Sequence, residues 1–188
     1  SLTARERATG WRVNEDGLGA DDRLAVYTST ETHSSTEKNV KIAGLGRQSL
    51  RKVPVDECYA MRVDELERLI LEDKANGIVP ACVVASIGAT GVGAIDPLRA
   101  IGEICRRHGI FLHVDAAWAG SALVLEEHRW MIDGVELADS LVFNPHKWMM
   151  TNFDCSAHFV RDPEALVRTL SILPTYLQSR EAGQVSDH

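Results

Sequence analysis

Phe143 to Trp148 reads FNPHKW, with Leu141-Val142 before it. Pro145 has no backbone N–H and biases Asn144 away from helical dihedrals. Leu141 to Phe143 is therefore expected to end a buried strand, with Asn144 to Lys147 forming a turn at its carboxyl edge. In open α/β sheets, ligands bind at that edge. Most lysines are solvated surface charges. One set between Pro-His and Trp on a strand-end turn fits that reading poorly. Its neighbours are expected to desolvate the Lys147 amine and make it a usable nucleophile for a carbonyl.

Phe111 to Gly120 reads FLHVDAAWAG: an apolar strand, an acid, then small residues. Asp115 at such a strand end has three readings: a helix N-cap, a metal ligand, or a cofactor partner. Pyridoxal phosphate needs a lysine for its aldehyde and a carboxylate to keep its ring nitrogen protonated. Lys147 and Asp115 would supply both from neighbouring strand ends.

HVDAAWAG followed by NPHKW resembles the group II pyridoxal-phosphate-dependent amino acid decarboxylases, nearest to the aromatic L-amino acid decarboxylase branch. The likeness continues through YTSTETHSS (Tyr27 to Ser35), SIGATG (Ser86 to Gly91), NFDCS (Asn152 to Ser156) and LPTYL (Leu173 to Leu177). It runs in order through essentially the whole chain. It implies part of the large α/β domain of a fold-type I enzyme, with pyridoxal 5'-phosphate as cofactor. Residues 1–170 would be the partial cofactor-binding domain and 171–188 a mobile catalytic-loop segment. The phosphate-binding loop expected before Ser1 and a small C-terminal domain would be missing. The chain alone is accordingly expected to be inactive and to hold the cofactor poorly.

The resemblance also implies roles. Lys147 takes the cofactor-linked position, through a Schiff base, and Asp115 that of the ring-nitrogen partner. His33, otherwise a plain surface or capping histidine, would stack on the ring and is a candidate proton donor. Thr90 would contact the cofactor, where the bland reading is turn chemistry. Asn144 and His146 would lie near the phosphate, and Ala117 under the ring. Trp118 stands where many relatives carry tyrosine. Tyr176 would protonate the substrate carbon after carbon dioxide leaves, whereas relatives with phenylalanine there form aldehydes. The implied reaction is decarboxylation of an L-amino acid, aromatic by the branch resembled, in a homodimer. The rivals are an aromatic aldehyde synthase, a metal hydrolase and a noncatalytic fragment serving as an interaction domain. His108, His113, His128 and Asp115 invite the metal reading, but histidines scattered over helices and loops do not make a coordination sphere.

The 188 residues suffice for one domain with a sizeable core, and 45% hydrophobic with 25% charged residues is ordinary for a globular protein. A net charge of −7 argues against a nucleic-acid partner and offers no basic face to a membrane. No apolar run approaches membrane-spanning length. Cys58, Cys82, Cys105 and Cys155 are widely spaced without a C-x-x-C pair, as expected for reduced thiols in a cytoplasmic protein.

Strands are expected at Leu24–Ser29, Gln48–Val55, Ala81–Ile87, Phe111–Val114, Leu141–Phe143 and Ala157–Val160. Helices are expected over Ser1–Trp11, from Ser35 with its hydroxyl as cap, from Val63 until Asn76-Gly77 ends it, from Pro97 with Asp96 as cap and Gly109 following its end, and over Glu164–Leu170. Asn14 to Asp22 reads as loop. Strands alternating with helices predict a mostly parallel sheet covered on both faces.

Overall fold

The computed structural model describes residues 1–172. Six strands form one sheet: β1 (Leu24–Ser29), β2 (Leu50–Val53), β3 (Val79–Ser86), β4 (Phe111–Asp115), β5 (Ser140–Phe143) and β6 (Ala157–Val160). Their order is β2-β1-β3-β4-β5-β6, parallel throughout except for the antiparallel pair β5–β6. Seven helices accompany them: α1 (Leu2–Ala8), α2 (Val13–Asp16), α3 (Ser35–Ile42), α4 (Val63–Ala75), α5 (Leu98–His108), α6 (Pro145–Trp148) and α7 (Pro163–Leu170).

Period-two alternation divides the strands between two cores. Val83, Ala85, Leu112 and Val114 face the larger one with Leu66 and Ile70 of α4 and Ile101 and Ile104 of α5. Val26, Cys82 and Val84 face the smaller one with Ala4 of α1 and Val40 of α3. Both faces are thus covered, which is why β3 is an almost unbroken apolar run. Within the larger core Tyr27 donates to Asp73 (2.7 Å), which also takes a forked contact from Arg51 at 2.9 Å. That tie joins β1, β2 and α4. The four cysteines are free thiols. Among the described residues, no helix is long and apolar enough to cross a membrane.

The structure corrects several local expectations. Pro145 does not force a turn: it opens α6, a single helical turn, because the first position of a helix needs no N–H. Gln48 and Ser49 belong to a 3₁₀ turn before β2, and Val13–Asp16 is helical within the expected loop. Ser34, not Ser35, stands at the N-cap of α3, and no side chain caps that helix. Asp96 does not cap α5, whose N-cap is Pro97. Asp162 does cap α7, accepting from the Ala165 N–H at 3.0 Å. Residues 119–137, aperiodic in sequence, form a string of 3₁₀ turns.

Candidate active site

Register puts three strand ends level. Asp115 pairs with Ser86 on β3 and with Val142 on β5, so the segments that follow all leave from one edge of the sheet. The loop after β1 reaches the same edge and is tied there by Thr32 Oγ1 to Ser86 Oγ (3.4 Å). Between these segments lies a cavity of about 170 Å³. Of the residues singled out from sequence, His33, Thr90, Asp115, Ala117, Asn144 and Lys147 line it. Ser35, Ser86, Gly88, Ala89 and Trp118 complete the wall.

His146 is not among the lining residues. Its Nδ1 lies 2.7 Å from the Cys155 carbonyl and 3.1 Å from the Cys155 N–H, so it pins the 153–156 segment to α6. Tyr176 lies outside the described residues. Lys147 is exposed, so the desolvation expected from its neighbours is absent from this chain.

Asp115 is half-buried, and its Oδ1 accepts the Ala117 N–H at 3.0 Å. Among the described residues, Oδ2 takes no hydrogen bond, leaving one carboxylate oxygen available. His33 Nδ1 accepts the Ser35 N–H (3.2 Å) and lies 2.9 Å from the Ser35 hydroxyl, so the neutral ring carries its proton on Nε2. Asn144 Oδ1 accepts from the Ser156 hydroxyl at 3.1 Å.

Two glycines allow these segments to meet. Gly88 has φ +80°, and a Cβ there would fall 2.5 Å from the Ala119 Cβ. A Cβ on Gly120 would fall 2.5 Å from the Phe143 Cβ. Ring centroids of Trp118 and Trp148 lie 5.6 Å apart, edge to face, at the rim beside Lys147.

A wider groove of about 530 Å³ lies along the sheet face beside α1 and α7 and shares Ser35, Asp115, Ala117 and Asn144 with the cavity. His113 lines it, with Nδ1 2.7 Å from the Ser140 hydroxyl. Burial pushes its pKa down to about 3, so the ring is neutral at physiological pH. Among the described residues, no three His, Cys, Asp or Glu side chains gather as a metal site would require.

The mostly parallel sheet thus brings an amine and a carboxylate to one cavity from the segments that end or follow adjacent strands. The pyridoxal-dependent decarboxylase conserved domain matches residues 2–188, and the chain belongs to that family. Mouse histidine decarboxylase is 45% identical over 93% of this chain and 26% of its own length. Arabidopsis thaliana phenylacetaldehyde synthase is 42% identical over 92% of this chain and 36% of its own. Among solved structures, Oryza sativa TDC with PLP and tryptamine superposes with a TM-score of 0.88 at 37% identity, over 99% of this chain and 39% of that one. The chain thus spans about a quarter to two-fifths of the length of these relatives.

Proposed function

We propose that the protein containing this chain is a pyridoxal-phosphate-dependent decarboxylase that converts an L-amino acid, of the aromatic class, to its amine and carbon dioxide. The observation that carries this reading is the convergence of Lys147 and Asp115 on one cavity from neighbouring parallel strand ends. The residues fit the cofactor: Lys147 offers a primary amine, and the open Oδ2 of Asp115 suits a protonated ring nitrogen. When bound, pyridoxal phosphate supplies an electron sink for the pair released as the Cα–carboxylate bond breaks.

The chain's residues do the rest. Lys147 Nζ would hold the cofactor through its aldehyde and would yield that place to the substrate amine. Asp115 would keep a proton on the ring nitrogen, and Ala117 would leave room for the ring. Thr90 and Asn144 line the cavity as polar anchors, while His146 acts indirectly by setting the 153–156 segment. His33 presents its Nε2–H, and Tyr176 returns a proton to the substrate carbon. The Trp118–Trp148 pair supports an aromatic substrate by putting apolar ring surface at the rim. Met150 (101% exposed) and Phe153 (85%), just beyond α6, support covering by a second copy, as a homodimer.

The aldehyde synthase is the second reading because such enzymes are found among both the relatives and the solved structures. Full-length protein supplied with tyrosine, tryptophan or phenylalanine should release amine and carbon dioxide without hydrogen peroxide, and turnover of cysteine sulfinate alone would overturn the aromatic class. Its Tyr176→Phe variant should keep the cofactor and lose about 10²-fold or more of amine formation, the usual contribution of a positioned proton donor. Aldehyde with peroxide as the main wild-type products would overturn the decarboxylase reading, and sedimentation as a monomer would remove the homodimer.

A further inference from the structure

Asp96 is 2% exposed and lies outside the cavity wall, yet its two oxygens are fully engaged. Oδ2 accepts the Ser86 N–H at 2.7 Å, and Oδ1 accepts the Met61 N–H at 2.8 Å. Among the described residues it has no basic hydrogen-bond partner, and Asp56, the nearby charge that acts on it, has the same sign. A buried carboxylate without a counter-ion is costly, a cost that its two amide contacts must offset.

The geometry shows what a carboxylate achieves there. Ser86 and Asp96 form the two stems of a closed loop: the Asp96 N–H donates to the Ser86 carbonyl (2.9 Å), and Ile87 bridges Ile95. Above the stems, Gly88 and Ala89 both donate to the Ala94 carbonyl at 2.9 Å. Thr90, at the exposed tip, lines the cavity. At the stem, the Ile87 N–H donates to the Asp115 carbonyl at 2.9 Å. We infer that Asp96 is a positioning residue for this site, its paired oxygens fixing the Ser86–Asp96 loop, and so Thr90 and Gly88, against the cofactor cavity by anchoring it to Met61. An asparagine of the same shape has one acceptor and one donor, so it can hold Ser86 or Met61 but not both.

This rests on the cavity being the cofactor site. It is tested by titrating the full-length protein with pyridoxal 5'-phosphate, following the visible band and amide hydrogen exchange. In the wild type, cofactor should slow exchange at the Met61 amide, remote from the cavity wall, as well as at the 88–91 turn, because coupling is reciprocal. Asp96→Asn should weaken cofactor binding by about 10- to 100-fold, the scale of one charge-assisted hydrogen bond, and abolish the slowing at Met61. Ile70→Val, a core change in α4, should bind within about two-fold of the wild type, because altered packing alone leaves the loop anchored. Unchanged affinity in Asp96→Asn would overturn the inference. If that variant does not fold, a wild-type Met61 amide indifferent to cofactor overturns it equally. A wild type with no visible band would instead overturn the reading of the cavity itself.

Discussion

Lys147→Ala in the full-length protein should abolish the visible absorbance of bound cofactor and lower turnover by about 10³-fold or more, because among the described residues no other amine lines the cavity. Borohydride reduction provides a check independent of activity. In the wild type, the peptide containing Lys147 should carry the reduced cofactor; in the variant, no peptide should. Labelling of another lysine would assign the attachment elsewhere and return Lys147 to the solvated surface charge its exposure allows. Far-ultraviolet dichroism should be unchanged, since α6 keeps its backbone bonds from Lys147 N–H to Asn144 and from Met149 N–H to Pro145.

The second large effect separates two readings of Asp115. Its Oδ1 accepts the Ala117 N–H, as a purely local turn cap would, while Oδ2 is open among the described residues. Asp115→Asn keeps an oxygen for Ala117 but cannot hold a proton on a ring nitrogen by charge. Turnover should fall by about 10²- to 10³-fold, corresponding to about 3–4 kcal/mol of lost charge-assisted bonding. Thermal stability without cofactor should barely move. A fully active Asp115→Asn enzyme would establish the turn cap as the whole role.

Much of this arrangement was legible in the sequence because parallel strands announce themselves. The apolar run of β3, the periodic Leu98-Ile101-Cys105 face of α5 and the acid after Phe111–Val114 each follow from local chemistry. Two misreadings share a cause. Proline restricts a chain in the same way whether it closes a turn or opens a helix, and Pro145 opens α6. An aspartate before proline looks like a helix cap, but nothing local reveals that Asp96 points back at Ser86, ten residues earlier, and at Met61, thirty-five earlier. The walls supplied by Ser86, Gly88 and Trp118 depend on strand register. The exposure of Lys147 likewise depends on which segments cover the cavity, which the motif alone does not state.

The uncompensated charge on Asp96 also makes the fold respond to acidity in an unusual direction. Burial raises its carboxyl from 3.8 to about 6, against the pull of the Ser86 and Met61 amides. The folded state therefore holds this proton more tightly than the unfolded chain. The resulting stability is complete below about pH 4 and is lost as pH rises through 6, an effect of about 3 kcal/mol. Surface carboxylates such as Glu37 and Glu67, lowered by Lys41 and Arg107, act oppositely and lose their contribution on acidification. Urea unfolding between pH 4.5 and 7.5 should show the wild type declining relative to Asp96→Asn, and a pH-independent difference would refute this. At neutral pH, then, the protein carries a standing handicap in robustness at the loop that aligns its site. Variants selected only for heat resistance should gain at this position only where the replacement still satisfies both the Ser86 and the Met61 amide.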